Sequence, residues 1–186
     1  MEKIVIVDNN NYVIRFDTNG ELKEGENLAV ELVITYMPRE KQVLLFNRGE
    51  GASDMHNHWA LESGKVNNSD YSDPIESLIG QPLPVAAYEK AAVREFKEEL
   101  NFDVSPGQLH LIDSFHMPAK QIYFRMFGLI LEPEDLNKLA PNQSELDKIG
   151  KFTLQAFQEN KHLGDAIVFR KAEIVNFLQI EFARWM

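Results

Sequence analysis

The chain has 186 residues, 44% of them hydrophobic and 26% charged, the balance of an ordinary globular domain rather than of a disordered or fibrous chain. Its 29 acidic against 19 basic side chains leave a net charge of −10, which argues against broad phosphate-backbone binding and so against a nucleic-acid partner. The absence of cysteine excludes disulfides, zinc–thiolate centres and cysteine nucleophiles. No apolar run approaches the ~18 residues of a membrane span, and the opening stretch is interrupted by Asp8, unlike a signal peptide. A cytoplasmic protein with no membrane partner is the expectation.

Ile4 to Val7 is β-branched and runs into the turn cluster Asp8-Asn9-Asn10-Asn11 and then Tyr12 to Phe16, which predicts an N-terminal β-hairpin. A polar stretch with Gly20 and Gly25 follows, so residues 1–27 read as a hairpin and loop ahead of a main domain over 28–186. Leu28 to Met37 and Gln42 to Asn47 are strand-like runs flanking Pro38-Arg39-Glu40-Lys41, a second hairpin. From Arg48 to Pro84 the pattern dissolves into Gly, Ser, Asn, Asp and Pro around Trp59-Ala60-Leu61, a length of loop more often functional than neutral. Val85 to Leu100 is the clearest helix. Pro84 suits its start, four alanines favour it, and Tyr88, Ala92, Phe96 and Leu100 form one stripe.

Asn101 tolerates the left-handed conformation that ends many helices. Gln108 to Phe115 and Gln121 to Leu131 are strand candidates joined around Met117-Pro118. Lys151-Phe152-Thr153 reads as a short strand before a brief helix near Gln155. Asp165 is placed to cap a last helix reaching Trp185, with Val168, Val175, Leu178, Phe182 and Trp185 on one side. Strands and helices mixed without regular alternation predict an α+β fold.

Glu95, Glu98 and Glu99 fall at i, i+3 and i+4, so they project from one face of the predicted helix. Like charges at these spacings each cost about 0.2–0.5 kcal/mol, and the last two turns lie toward the negative end of the helix dipole. Two readings accommodate that cost. One is a solvated acidic face neutralised by Lys90, Arg94 and Lys97, the commoner outcome on spacing alone. The other is a set of hard oxygen ligands for a divalent cation such as Mg²⁺.

The stretch Arg94-Glu95-Phe96-x-Glu98-Glu99-x-x-Phe102, preceded by Ala91-Ala92-Val93, resembles the core of the Nudix box, G-x5-E-x7-R-E-U-x-E-E-x-G-U with U a bulky apolar residue. Asn101 stands in place of the late Gly, and Ala86 stands eight residues before Arg94, where the motif has its first Glu. Gly80 lies at the nominal spacing of the first Gly. However, Trp59-Ala60-Leu61-Glu62-Ser63-Gly64-Lys65-Val66 resembles the Trp-x-x-Pro-Gly-Gly-x-Val stretch that opens the motif. On that alignment Gly64 is the motif glycine, about sixteen residues are inserted near 67–84, and the first Glu has no assigned counterpart.

The resemblance spans roughly residues 28–160. It implies a Nudix-type α/β/α sandwich around a mixed β-sheet, and a hydrolase that uses Mg²⁺ or Mn²⁺. Its substrate would be a small-molecule diphosphate, a nucleoside diphosphate derivative or similar organic pyrophosphate. Glu98 and Glu99 would ligate the metal, and Glu95 would be a ligand or the group that deprotonates water. Arg94 would hold a carboxylate in place, and Gly64 would offer its backbone carbonyl as a further ligand. Glu145, in the late acidic segment Ser144-Glu145-Leu146-Asp147, would be an extra carboxylate or the general base. The stretch from Ile4 to Arg48 further resembles Nudix proteins related to isopentenyl diphosphate isomerase. The isomerases of that branch depend on a catalytic cysteine, and this chain has none. The alternative to a hydrolase is a binding or regulatory module that keeps the fold without the activity.

Outside the motif, His56 and His58 can touch a phosphate or base, against the plainer reading as loop histidines. Tyr123, Arg125 and Phe127 alternate on a predicted strand and can line a pocket or simply pack. The N-terminal hairpin and the apolar face of the last helix can each pack within the chain or form a homodimer contact.

Overall fold

The computed structural model describes residues 2–48, 58–71, 75–144 and 146–185, with backbone alone at 75 and 76. In chain order the elements are β1 (Ile4–Val7), β2 (Val13–Asp17), β3 (Asn27–Met37), β4 (Gln42–Arg48), β5 (Trp59–Ala60), β6 (Glu62–Lys65), α1 (Val85–Leu100), β7 (Leu109–Met117), β8 (Ile122–Ile130), β9 (Leu146–Thr153), α2 (Leu154–Glu159), α3 (Asp165–Phe169) and α4 (Lys171–Arg184). Short 3-10 turns include Asn68–Asp70 and Ile75–Leu78. Strands and helices without regular alternation make this a mixed α+β fold, as expected. Among the described residues no helix is long and apolar enough to cross a membrane.

Contacts divide the chain into two compact units. The first comprises Met1–Leu32, Ser63–Glu95 and Ser105–Phe127. In it the β1–β2 hairpin turns on Asp8, whose carboxylate accepts from the backbone of Asn10 at 2.8 Å and of Tyr12 at 2.9 Å. Asn11 takes a positive φ of 69°, a conformation Asn tolerates better than most residues. Strand β1 pairs antiparallel with β2 and also with the start of β3 through Ile6↔Leu28 and Val7↔Asn27. Val66, just past β6, donates to Ala29 of β3 and accepts from Val5 of β1, each at 2.9 Å. The α1 residues Ala87, Tyr88, Ala91 and Ala92 are all fully buried, and three of the four are alanines that admit close packing.

The second unit comprises Val33–Glu62, Phe96–Val104 and Gly128–Met186. Its β4 pairs with the end of β3, with β5 and, along its whole length, with β9. Strand β9 therefore begins at Leu146, well before the expected Lys151–Thr153. Its central Lys148, Gly150 and Lys151 disguise the period, but backbone pairing to β4 carries it through. Gly150 is required there. A Cβ would fall 2.6 Å from both the Trp59 and Phe152 rings, which meet edge to face at 5.0 Å. Trp59 is accordingly a packing residue.

The single last helix expected from Asp165 is instead two, broken at Arg170 (φ −116°, ψ 23°), and its first segment follows Gly164 rather than being capped by Asp165. The break changes the helical phase, so Ile167, Ile174, Leu178 and Phe182 are buried while Val168 and Trp185 are 60% and 42% exposed. Tyr36 of β3 donates to Glu181 of α4 at 3.0 Å. Burial first, and Glu181 second, push the Tyr36 phenol above its ordinary pKa.

Candidate functional site

Helix α1 ends as its sequence dictates. Asn101 adopts φ 48°, and the amides of Ala140 and Asn142 donate to the terminal carbonyls of Leu100 and Glu99 at 2.8 and 2.6 Å. Those carbonyls have no partner within the helix, so the 140–142 segment satisfies them.

Arg94 organises the stretch before this end. Its Nε and Nη2 donate to the two oxygens of Asp70 at 3.1 and 3.0 Å. Nη1 donates to Glu95 at 2.7 Å, and Nη2 also reaches the Lys65 carbonyl at 2.8 Å. One guanidinium thus joins the end of β6, the 3-10 turn at Asn68–Asp70 and α1. Burial works against the Arg94 charge, but its hydrogen bond to Asp70 and the charges of Glu95 and Asp70 outweigh it and raise its pKa above the ordinary arginine value. Asp70 is buried, at 3% exposed, and also accepts from the Asn67 amide at 2.8 Å.

Gly64 stands directly against this cluster. A Cβ there would overlap Cγ, Cδ and Oε1 of Glu95, so only glycine lets the β6 backbone approach that carboxylate.

These contacts bring in Asp70, a carboxylate that sequence reasoning did not single out. Asp70 follows Gly64 with five residues between them, the G-x5-E spacing with a shorter acid. Counting backwards from Arg94 leads to Ala86, which is exposed. Counting forwards from Gly64 leads to the residue that binds Arg94. Residues 71–93 separate Asp70 from Arg94 in the sequence.

Of the other expected site residues, Glu98 is exposed and Glu99 is buried at 6%. Glu95 is half-buried with one oxygen held by Arg94. Among the described residues no group of three or more carboxylate or imidazole side chains converges as a ready metal site. The expected convergence of Glu95, Glu98 and Glu99 is thus one of helix spacing and not of side-chain position. Glu145 and His56 lie outside the described residues. His58 meets His162 edge to face at 6.5 Å, and His116 is hydrogen-bonded to Asn27 at 2.7 Å. On β8, Phe127 is fully buried, whereas Arg125 stacks over two tyrosine rings.

The donor chemistry fits a hard divalent cation. Every candidate ligand is an oxygen, and the Gly64 cradle brings a backbone within contact of Glu95.

No protein-family model matches the sequence. No curated protein matches it either. Solved structures do. DR0079 from Deinococcus radiodurans is similar at a TM-score of 0.64, covering 95% of this chain and 98% of its own, with 16% identity. "Tm1382, a putative Nudix hydrolase" is similar at 0.64, covering 94% of this chain and 99% of its own, with 12% identity. The MutT protein from Methanosarcina mazei Go1 reaches 0.52, covering 85% of this chain and 94% of its own, with 18% identity. The chain has the Nudix fold.

Proposed function

We propose that the chain is a metal-dependent hydrolase that cleaves the diphosphate linkage of a nucleoside diphosphate derivative or similar organic pyrophosphate. The observation that carries this reading is the set of contacts among Gly64, Asp70, Arg94 and Glu95. The spacing of the Nudix box is interrupted by the long 71–93 segment, yet its glycine, acid, arginine and glutamate contact one another. The likeness in fold to MutT and Nudix proteins supports it.

In this reading Glu98 and Glu99 hold Mg²⁺ or Mn²⁺, with the Gly64 carbonyl as a further oxygen ligand. Such an ion supplies charge neutralisation at the phosphates and a lowered pKa for water bound to it. Arg94 orients the Glu95 carboxylate by a charge-assisted hydrogen bond, and Glu95 is the candidate base for the attacking water. Asp70 is a positioning residue that holds Arg94. Glu145 is a second candidate base, in the segment that follows the anchor at Asn142. A metal bridge also explains how a chain of net charge −10 takes a polyanionic substrate. An isomerase of the isopentenyl diphosphate isomerase kind would need a cysteine, which is absent here.

A second reading, a binding module of the same fold, draws on the lack of a ready three-ligand cluster among the described residues. The test is product release from nucleoside triphosphates, nucleoside diphosphate sugars, dinucleoside polyphosphates and isoprenoid diphosphates, with and without Mg²⁺. Metal-dependent cleavage of one class is the expected result. Metal binding without any cleavage favours the module, and absence of both overturns the hydrolase.

A further inference from the structure

Arg125 is the one arginine of the first unit that the proposed hydrolysis and the packing both leave unexplained. Its guanidinium carbon lies 5.9 Å from the centroid of the Tyr88 ring and 5.8 Å from that of Tyr123. Nη1 donates to the Ser114 hydroxyl on β7 at 2.6 Å. These contacts clamp the guanidinium by its faces and use one of its five N–H donors. Among the described residues the buried Nε has no acceptor and no carboxylate pairs with Arg125. The other two arginines of the unit, Arg15 and Arg94, each hold two carboxylates. In a chain of net charge −10, a half-buried cation without a counter-ion among the described residues is a costly arrangement that two aromatic faces offset only in part.

The position of this cation is as informative as its uncommitted donors. Tyr88 and Glu95 are seven residues apart on α1, so they share a helix face and stand about 10 Å apart along its axis. The Arg125 fork and the Gly64–Glu95 cradle are therefore set along one face of one helix. A guanidinium held flat, with its edge donors uncommitted, is matched to a phosphate or carboxylate.

We propose that Arg125 recognises an anionic group at the far end of the substrate, beside Tyr88, which stands about two helical turns from Glu95 of the carboxylate cradle. The chain then selects diphosphates that carry a further phosphate or carboxylate over those ending in a neutral sugar or alkyl group. The selectivity rests on the hydrolase reading. The anion site itself does not.

The test uses the full chain in metal-free buffer with a chelator, titrated with inorganic phosphate while the Nε–H resonance of Arg125 is followed by NMR. The resonance missing from the Arg125→Lys spectrum assigns it. A saturable shift in the wild type, with phosphate affinity read by isothermal titration calorimetry weakened about tenfold in Arg125→Lys, is the expected result. A resonance that phosphate does not move overturns the site. In turnover assays Arg125→Lys should raise KM about tenfold for anion-ended substrates, leave kcat within about twofold, and leave neutral-ended substrates unchanged. An equal rise for both classes overturns the selectivity. If the wild type cleaves no diphosphate, the hydrolase reading fails and the phosphate titration still decides the anion site.

Discussion

Two arginines of the first unit each bind two carboxylates, and they do different work. Arg15 pairs with Glu26 through Nε at 3.0 Å and Nη2 at 2.8 Å, and with Asp17 through Nη1. All of this lies within eleven residues of chain, and the Arg15 side chain is 27% exposed. Arg94 reaches Asp70, twenty-four residues away, and the Lys65 carbonyl, twenty-nine away, with its own side chain 18% exposed and that of Asp70 only 4%. For Arg15 the hydrogen bond to Glu26 dominates and raises its pKa; for Arg94 burial is the largest influence, and it opposes the charge. The first cluster staples a local loop. The second keeps a charge in a place that disfavours it, and in doing so fixes Glu95 against Gly64.

The sharpest way to use that contrast is to alter the carboxylates of α1 proposed to hold the metal. Glu98→Gln should abolish metal-dependent turnover while leaving the thermal midpoint near that of the wild type, since Glu98 is exposed. Next in size is Asp70→Asn, which removes the deeper counter-ion of Arg94. Breaking a fully buried pair costs roughly 3–5 kcal/mol; with Arg94 part-exposed, a loss of about 2 kcal/mol in urea unfolding is expected. Turnover should fall with it, and Asp70→Glu, which restores the motif acid, should recover more activity than Asp70→Asn. Gly64→Ala should cost about 1–3 kcal/mol through overpacking and lower kcat more than it raises KM, because Glu95 is displaced.

Arg15→Met should be the mildest, at most about 1 kcal/mol with turnover unchanged. Its signature lies in pH. Hydrogen bonds from Arg15 first, and from the Lys23 amide second, hold the Glu26 carboxyl down from 4.5 to about 2. A carboxylate depressed in the folded state contributes stability above its unfolded pKa and loses it as pH falls toward the folded one. Between pH 4.5 and 2 the wild type should therefore lose stability more steeply than Arg15→Met. Parallel thermal melts across that range check it.

The same contrast explains what the sequence made legible. Helix α1 could be read to the residue because alanines, an apolar stripe and Asn101 all point one way, and local signals survive whatever surrounds them. The helical placement of Arg94 to Glu99 was legible for the same reason. Asp70 was not, since its role depends on a contact across the 71–93 segment that periodicity does not record. The start of β9 was hidden because pairing with β4, rather than its own alternation, makes it a strand. The last helix was misphased because the break at Arg170 carries neither Gly nor Pro to announce it.

The central claim is that the face of α1 fixed by Arg94 binds a divalent cation. Titration with Mn²⁺, followed by electron paramagnetic resonance on the wild type and on Glu98→Gln, tests it most directly. Saturable binding in the wild type that is lost in Glu98→Gln is the predicted result; no binding in the wild type, or binding that survives the substitution unchanged, would contradict it.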